Sequence, residues 1–156
     1  MTDLKKWEKK VNENHKRNVK FIKEFEEWLL TEKKLSKKTV SKYASNARFY
    51  INEFLNYYDA YQMEEGCKCV SDYLGSWFIE KCLWSSKNQI KETARSIKKF
   101  YECMSEKGYV KKEDYEYLCD DIKDGMDTFL ERMDDYDNGT FYDIYLWKEK
   151  YKWLMY

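Results

Sequence analysis

His15 is the single histidine among 156 residues and sits in a lysine-rich stretch. No serine or cysteine nucleophile is placed to use it, so neither a Ser-His-Asp nor a Cys-His arrangement has support, and it reads as a surface histidine. Cys67-x-Cys69 has the wrong spacing for a zinc knuckle, and no second Cys or His pair follows it. Cys82, Cys103 and Cys119 fall at or beside apolar positions, where core burial is the expected role. The carboxylate pairs Asp120-Asp121 and Asp134-Asp135 read as a solvated helix face rather than a metal site, and the five glycines are too scattered for a phosphate loop. The expectation is a chain with no catalytic residue, no metal, no cofactor and no small-molecule substrate.

Cations at helical spacing are the stronger signal. Lys91, Arg95 and Lys98 recur at i, i+4 and i+7, so their heads line one face, with Lys87, Asn88, Gln89 and Lys99 beside them. Lys38 and Lys42 are similarly placed, flanked by Lys37, Thr39, Ser41 and Ser45. Amine and guanidinium heads neutralise phosphates and release counterions, while Thr, Ser, Asn and Gln add hydrogen bonds to phosphates and base edges. The formal net charge of zero hides an asymmetry. Residues 1–112 carry 24 basic and 16 acidic side chains, and residues 113–156 carry 5 and 13, so the balances are +8 and −8. Such a split suggests a nucleic-acid-facing body with an acidic appendage.

The elements that position these stripes are all helical. Proline is absent and glycine rare, which argues against a turn-rich β fold, while 43% hydrophobic and 19% aromatic residues suffice for a core. A first helix is predicted over 2–30, with a break near Asn14 to Asn18 where the apolar spacing lapses and a buried face at Phe21, Phe25, Trp28 and Leu29. Ser36 is the expected N-cap of a second helix over 37–58, whose stripe is Val40, Tyr43, Ala47, Ile51, Phe54, Leu55 and Tyr58. A third helix is expected over 71–84, with Leu74, Trp77, Phe78 and Cys82 inward, and a fourth over 88–107, with Ile90, Ala94, Ile97, Tyr101 and Met104 inward. Gly108 suits a left-handed helix stop. A fifth helix over 112–136 is interrupted at Gly125, Asn138-Gly139 marks a turn, and an aromatic helical tail over 140–156 follows. No run of apolar residues is long enough to span a bilayer. The charged start lacks a signal-peptide core, and five cysteines, an odd number, suggest reduced thiols, so a cytoplasmic setting is expected.

Three stretches in order give residues 19–110 a family resemblance: the helix Phe21 to Leu30; Leu35-Ser36-Lys37-Lys38-Thr39-Val40 with Tyr43, Phe49 and Phe54-Leu55; and Ile90 through Ile97-Lys98-Lys99-Phe100-Tyr101, closing on Lys107-Gly108-Tyr109-Val110. This pattern resembles the N-terminal SAM-like, or core-binding, domain of phage integrases and other tyrosine recombinases. The resemblance implies a four-helix bundle clamping double-stranded DNA through its second and fourth helices. Carried onto this chain, the DNA-binding positions are Lys37, Lys38, Thr39, Lys42 and Ser45 with Lys87, Asn88, Lys91, Arg95 and Lys98, which coincide with the stripes read from spacing. The implied organisation is an N-terminal helical extension over 1–18, the core-binding domain over 19–110, and an acidic and aromatic helical extension over 111–156 packing on it.

The departures bear on activity. The family continues with a catalytic domain needing two arginines, a lysine, histidines and a nucleophilic tyrosine, whereas the 46 residues after Val110 hold one arginine, Arg132, and no histidine. Strand transfer by this chain alone is therefore not expected. The resemblance implies a non-enzymatic DNA-binding accessory or regulator of DNA integration and recombination. The alternative is a protein-interaction module whose acidic helix covers the basic face, mimics DNA, or, with the aromatic tail, docks on a recombinase or on a second copy.

Overall fold

In the computed structural model, residues 2–139 and 149–150 are described, and every regular element among them is helical. Helix α1 spans Asp3–Thr31, and Thr2 accepts the Lys5 amide at its start. Helix α2 spans Lys37–Phe49 and runs on through a π turn, Tyr50–Phe54. A 3₁₀ segment, Met63–Lys68, leads into α3, which is pieced together from Val70–Asp72, a second π turn at Tyr73–Trp77, and Phe78–Lys81. Helix α4 spans Lys87–Glu106 and α5 spans Lys112–Asp137. No described helix is long and apolar enough to cross a membrane.

The break expected in α1 is absent. Asn14 and Asn18 interrupt the apolar spacing because they face polar partners in the interior, not because the helix stops. Asn14 Nδ2 donates to Asn56 Oδ1 at 2.9 Å and to the Tyr61 carbonyl at 3.1 Å. Asn18 Nδ2 donates to Asn52 Oδ1 at 2.8 Å and to the Ile51 carbonyl, which also accepts from Asn56 Nδ2. The π turn widens the backbone and leaves carbonyls in need of donors, and these asparagines supply them. α1 thus crosses the 18/19 division as one helix.

The helix ends with the π turn at Phe54, four residues before the predicted end at 58, so Tyr58 lies in a bend beyond it and is exposed. Tyr50 is fully buried, and Tyr43, expected on the buried stripe, is half-buried. Two π turns face each other, and their rings interlock: Tyr50 to Tyr73 at 4.9 Å, Phe54 to Tyr73 at 4.9 Å and Phe54 to Trp77 at 5.4 Å between centroids. Tyr50 and Tyr101 are buried completely, and each hydroxyl is satisfied by a carbonyl of the 3₁₀ segment, Gly66 and Met63 respectively. A methyl on Gly66 would strike the Tyr101 hydroxyl, so close approach dictates glycine there.

α3 ends at Lys81, three residues earlier than predicted. Cys82 is extended and buried, while Leu83 and Trp84 point outward. Ser36 and Ser86 cap α2 and α4 through the Thr39 and Gln89 amides. Gly108 has φ +81°, and the Tyr109 amide returns to the Met104 carbonyl at 2.9 Å, seating the Tyr109 ring edge-on to Phe21.

α5 is continuous through Gly125. A Cβ at that position would lie 2.5 Å from the ring of Phe129, one turn on and fully buried. The missing side chain is where the ring sits. Leu118, Ile122, Phe129 and Met133 pack inward, and Arg132 is buried with them, its charge acting on the Asp72 carboxyl. Ser71 Oγ donates to Asp121 at 2.6 Å, tying α5 to α3. Of the expected aromatic tail, residues 140–148 and 151–156 lie outside the described residues. Lys150 reaches Glu131 at 3.0 Å and Asp135 at 3.7 Å on α5.

Candidate nucleic-acid interface

α2 and α4 pack side by side, joined by buried small residues and a polar tie, Asn46 Nδ2 donating to Ser96 Oγ at 3.0 Å. Between them runs a groove of about 380 Å³ lined by Lys42, Asn88, Gln89, Lys91, Glu92 and Arg95. Four of the ten positions singled out by sequence therefore share one concave surface. One carboxylate sits among them, and Lys42 forms an ion pair with it, so Glu92 is neutralised by α2.

The helix starts reinforce the charge. Neither α2 nor α4 has an acidic residue in its first turn, whereas α1 begins with Asp3 and α5 with Glu113 and Asp114. Carboxylates in a first turn satisfy the partial positive charge of the unpaired amides. Here Lys37 and Lys38 at one start, and Lys87 and Asn88 at the other, leave that positive end uncompensated. Both ends suit anions.

The remaining positions divide. Lys37 and Lys38 are exposed, and Thr39 is half-buried, its hydroxyl accepting from Ser36. Lys87 is tied to Asp134 of α5 at 2.9 Å. Ser45 turns toward a separate cavity of about 200 Å³, whose walls include Phe49, Tyr73, Phe78 and Trp84, and so does not join the groove. Lys98 lies across α4 on a second groove of about 480 Å³. Lys91, Arg95, Lys98 and Lys99 rim that groove, and Ala94, Tyr115, Ile122 and Met126 supply its apolar surface. Lys91, Arg95 and Lys98 form no ion pair among the described residues. α5 thus packs beside the basic stripe without neutralising it, apart from the contact at Lys87.

Sequence reasoning missed the role of Glu92 and the apolar wall from α5. Glu92 follows Lys91 directly, and nothing in the local spacing signals a partner fifty residues upstream. His15 is half-buried rather than on the surface, its Nε2 3.2 Å from the Asn52 carbonyl. The five cysteines are free. Burial pushes the thiols of Cys67 and Cys103 up to about 12 and those of Cys69 and Cys82 to about 11, which suppresses the thiolate needed for nucleophilic chemistry. Among the described residues, no group of three or more His, Cys, Asp or Glu is gathered as a metal site.

Compared with protein-family models, with curated proteins and with solved structures, the chain has no match.

Proposed function

We propose that this protein is a DNA-binding module that holds a duplex along the basic faces of α2 and α4, in the manner of the core-binding bundle of tyrosine recombinases, without itself cutting or joining strands. The observation that carries the reading is the α2–α4 groove, where Lys42, Asn88, Lys91 and Arg95 converge and the one carboxylate is already paired. Two uncompensated helix starts lie on the same two helices. The sequence resemblance points to the same helices, so fold-level analogy and local charge agree. Under this reading phosphate contacts supply most of the affinity and base contacts little, and the biological role is accessory to, or regulatory of, DNA integration or recombination in the cytoplasm. Fluorescence anisotropy with a mixed-sequence duplex of about 30 base pairs at two salt concentrations tests it. Salt-sensitive binding that weakens by at least about tenfold in a folded Lys91→Gln/Arg95→Gln variant is expected; salt-independent or absent wild-type binding, or an unchanged affinity in the variant, overturns the reading.

A further inference from the structure

The α4–α5 face carries two charge stripes with the same spacing. Lys91, Arg95 and Lys98 stand at i, i+4 and i+7 on α4, and Asp120, Asp124 and Asp127 stand at i, i+4 and i+7 on α5. All six side chains are exposed, and none forms an ion pair among the described residues. The three cations rim the groove whose other wall is Tyr115, Ile122 and Met126 of α5. Asp127 follows Met126 by about 100° around the helix, so the acidic stripe begins just beyond that wall. Within one molecule the stripes lie on neighbouring helices and leave each other unpaired. Lys123 is the exposed cation in that stretch of α5, one against three carboxylates.

We infer that the occupant of this face is a second copy of the chain, with the Lys91/Arg95/Lys98 stripe of each copy set against the Asp120/Asp124/Asp127 stripe of the other. α4 and α5 are joined by the short link 107–111 and run antiparallel. A two-fold axis parallel to them sets α4 of one copy antiparallel to α5 of the other, and the arrangement closes as an isologous dimer. In antiparallel register Arg95 faces Asp124, and the outer pairs are offset by about 1.5 Å, within the reach of flexible side chains. A two-fold axis perpendicular to the helices would stack α4 on α4, cation on cation, and is disfavoured by repulsion. The preferred association also covers the apolar wall of Tyr115, Ile122 and Met126, which a DNA phosphate has no means to use. The inference stands apart from the DNA reading, although both employ the same cations. If both hold, dimer and DNA complex exclude one another.

The test uses sedimentation velocity on the whole chain, without DNA. Wild-type protein is expected to dimerise at about 0.05 M salt, with its dissociation constant rising at least about tenfold at roughly 0.5 M, where exposed charges are screened. A variant with Lys91→Glu, Arg95→Glu and Lys98→Glu, and another with Asp120→Lys, Asp124→Lys and Asp127→Lys, are each expected to be monomeric, since both contacts become like-charged. Mixed in equal amounts, the two recover both contacts and form a heterodimer. All six positions are exposed, so circular dichroism is expected to report native helix content in both variants. A wild-type chain that stays monomeric at low salt overturns the inference. So does a wild-type dimer whose reversed variants still self-associate, or fail to pair when mixed.

Discussion

Replacing Glu92 by glutamine isolates the contribution of one ion pair to the proposed DNA surface. Of the seven basic side chains assigned to that surface, Lys42 is committed to Glu92 and Lys87 to Asp134, leaving Lys37, Lys38, Lys91, Arg95 and Lys98 for phosphates. Each neutralised phosphate contributes about −0.9 to the slope of log affinity against log salt, so five imply a slope of about −4.5, and tripling the salt weakens binding roughly 100-fold. Glu92→Gln removes the carboxylate and frees Lys42, so the slope steepens to about −5.4 and binding tightens. Lys91→Gln with Arg95→Gln acts the other way. The slope relaxes to about −2.7, and at about 0.1 M salt the counterion term alone removes roughly 60-fold in affinity, taking binding at about 1 M as unaffected. The assay is an anisotropy titration at four salt concentrations, with protein kept dilute so that self-association does not intrude. Glu92 is half-buried and polar contacts surround it, so the glutamine variant is expected to fold. A wild-type slope shallower than about −2, or weaker binding by Glu92→Gln, would refute the reasoning.

Other expectations concern the fold. Gly125→Ala should destabilise the protein by about 1–3 kcal/mol in urea denaturation, although alanine is worth about 1 kcal/mol more than glycine in a helix, because the new methyl strikes the buried Phe129 ring. A stabilising result would mean that the ring has room to move. Asn56→Ala removes donors to the Ile51 and Asn52 carbonyls and an acceptor for Asn14, and should cost about 1–3 kcal/mol in the same experiment. Cys67 and Cys103 should resist alkylation in the native protein at about pH 8 and react once it is unfolded, as mass spectrometry after iodoacetamide would read; rapid native modification of either would contradict its burial and raised pKa.

Much of the helical layout was legible because apolar periodicity and capping chemistry are local. Ser36 and Gly108 announce their helix ends through side chains and backbone freedom that act within one turn, and α4 matched its predicted stripe from Ile90 to Met104. Periodicity misled where the backbone left the 3.6-residue repeat. The π turn at Tyr50–Phe54 closes the helix four residues before its predicted end and leaves Tyr58 outside it, and no residue type marks such a turn in advance. Asn14 and Asn18 read as a helix break because a buried amide and an exposed one are identical in sequence; only the arrival of Asn52, Asn56 and the α2 carbonyls distinguishes them. Gly125 likewise reads as an interruption until the Phe129 ring is seen over it.

The candidate surface divides along the same line. Spacing alone placed Lys91, Arg95 and Lys98 on one face, since helix geometry relates neighbours a turn apart. Whether a cation is free depends on groups far along the chain: Glu92 ties Lys42, Asp134 ties Lys87, and α5 packs beside the remaining three without pairing them. The sequence by itself determined the helices and the charge each one carries. Only the packing of α2, α4 and α5 decided which charges meet, because ion pairing is a matter of distance between elements that the local chain cannot specify.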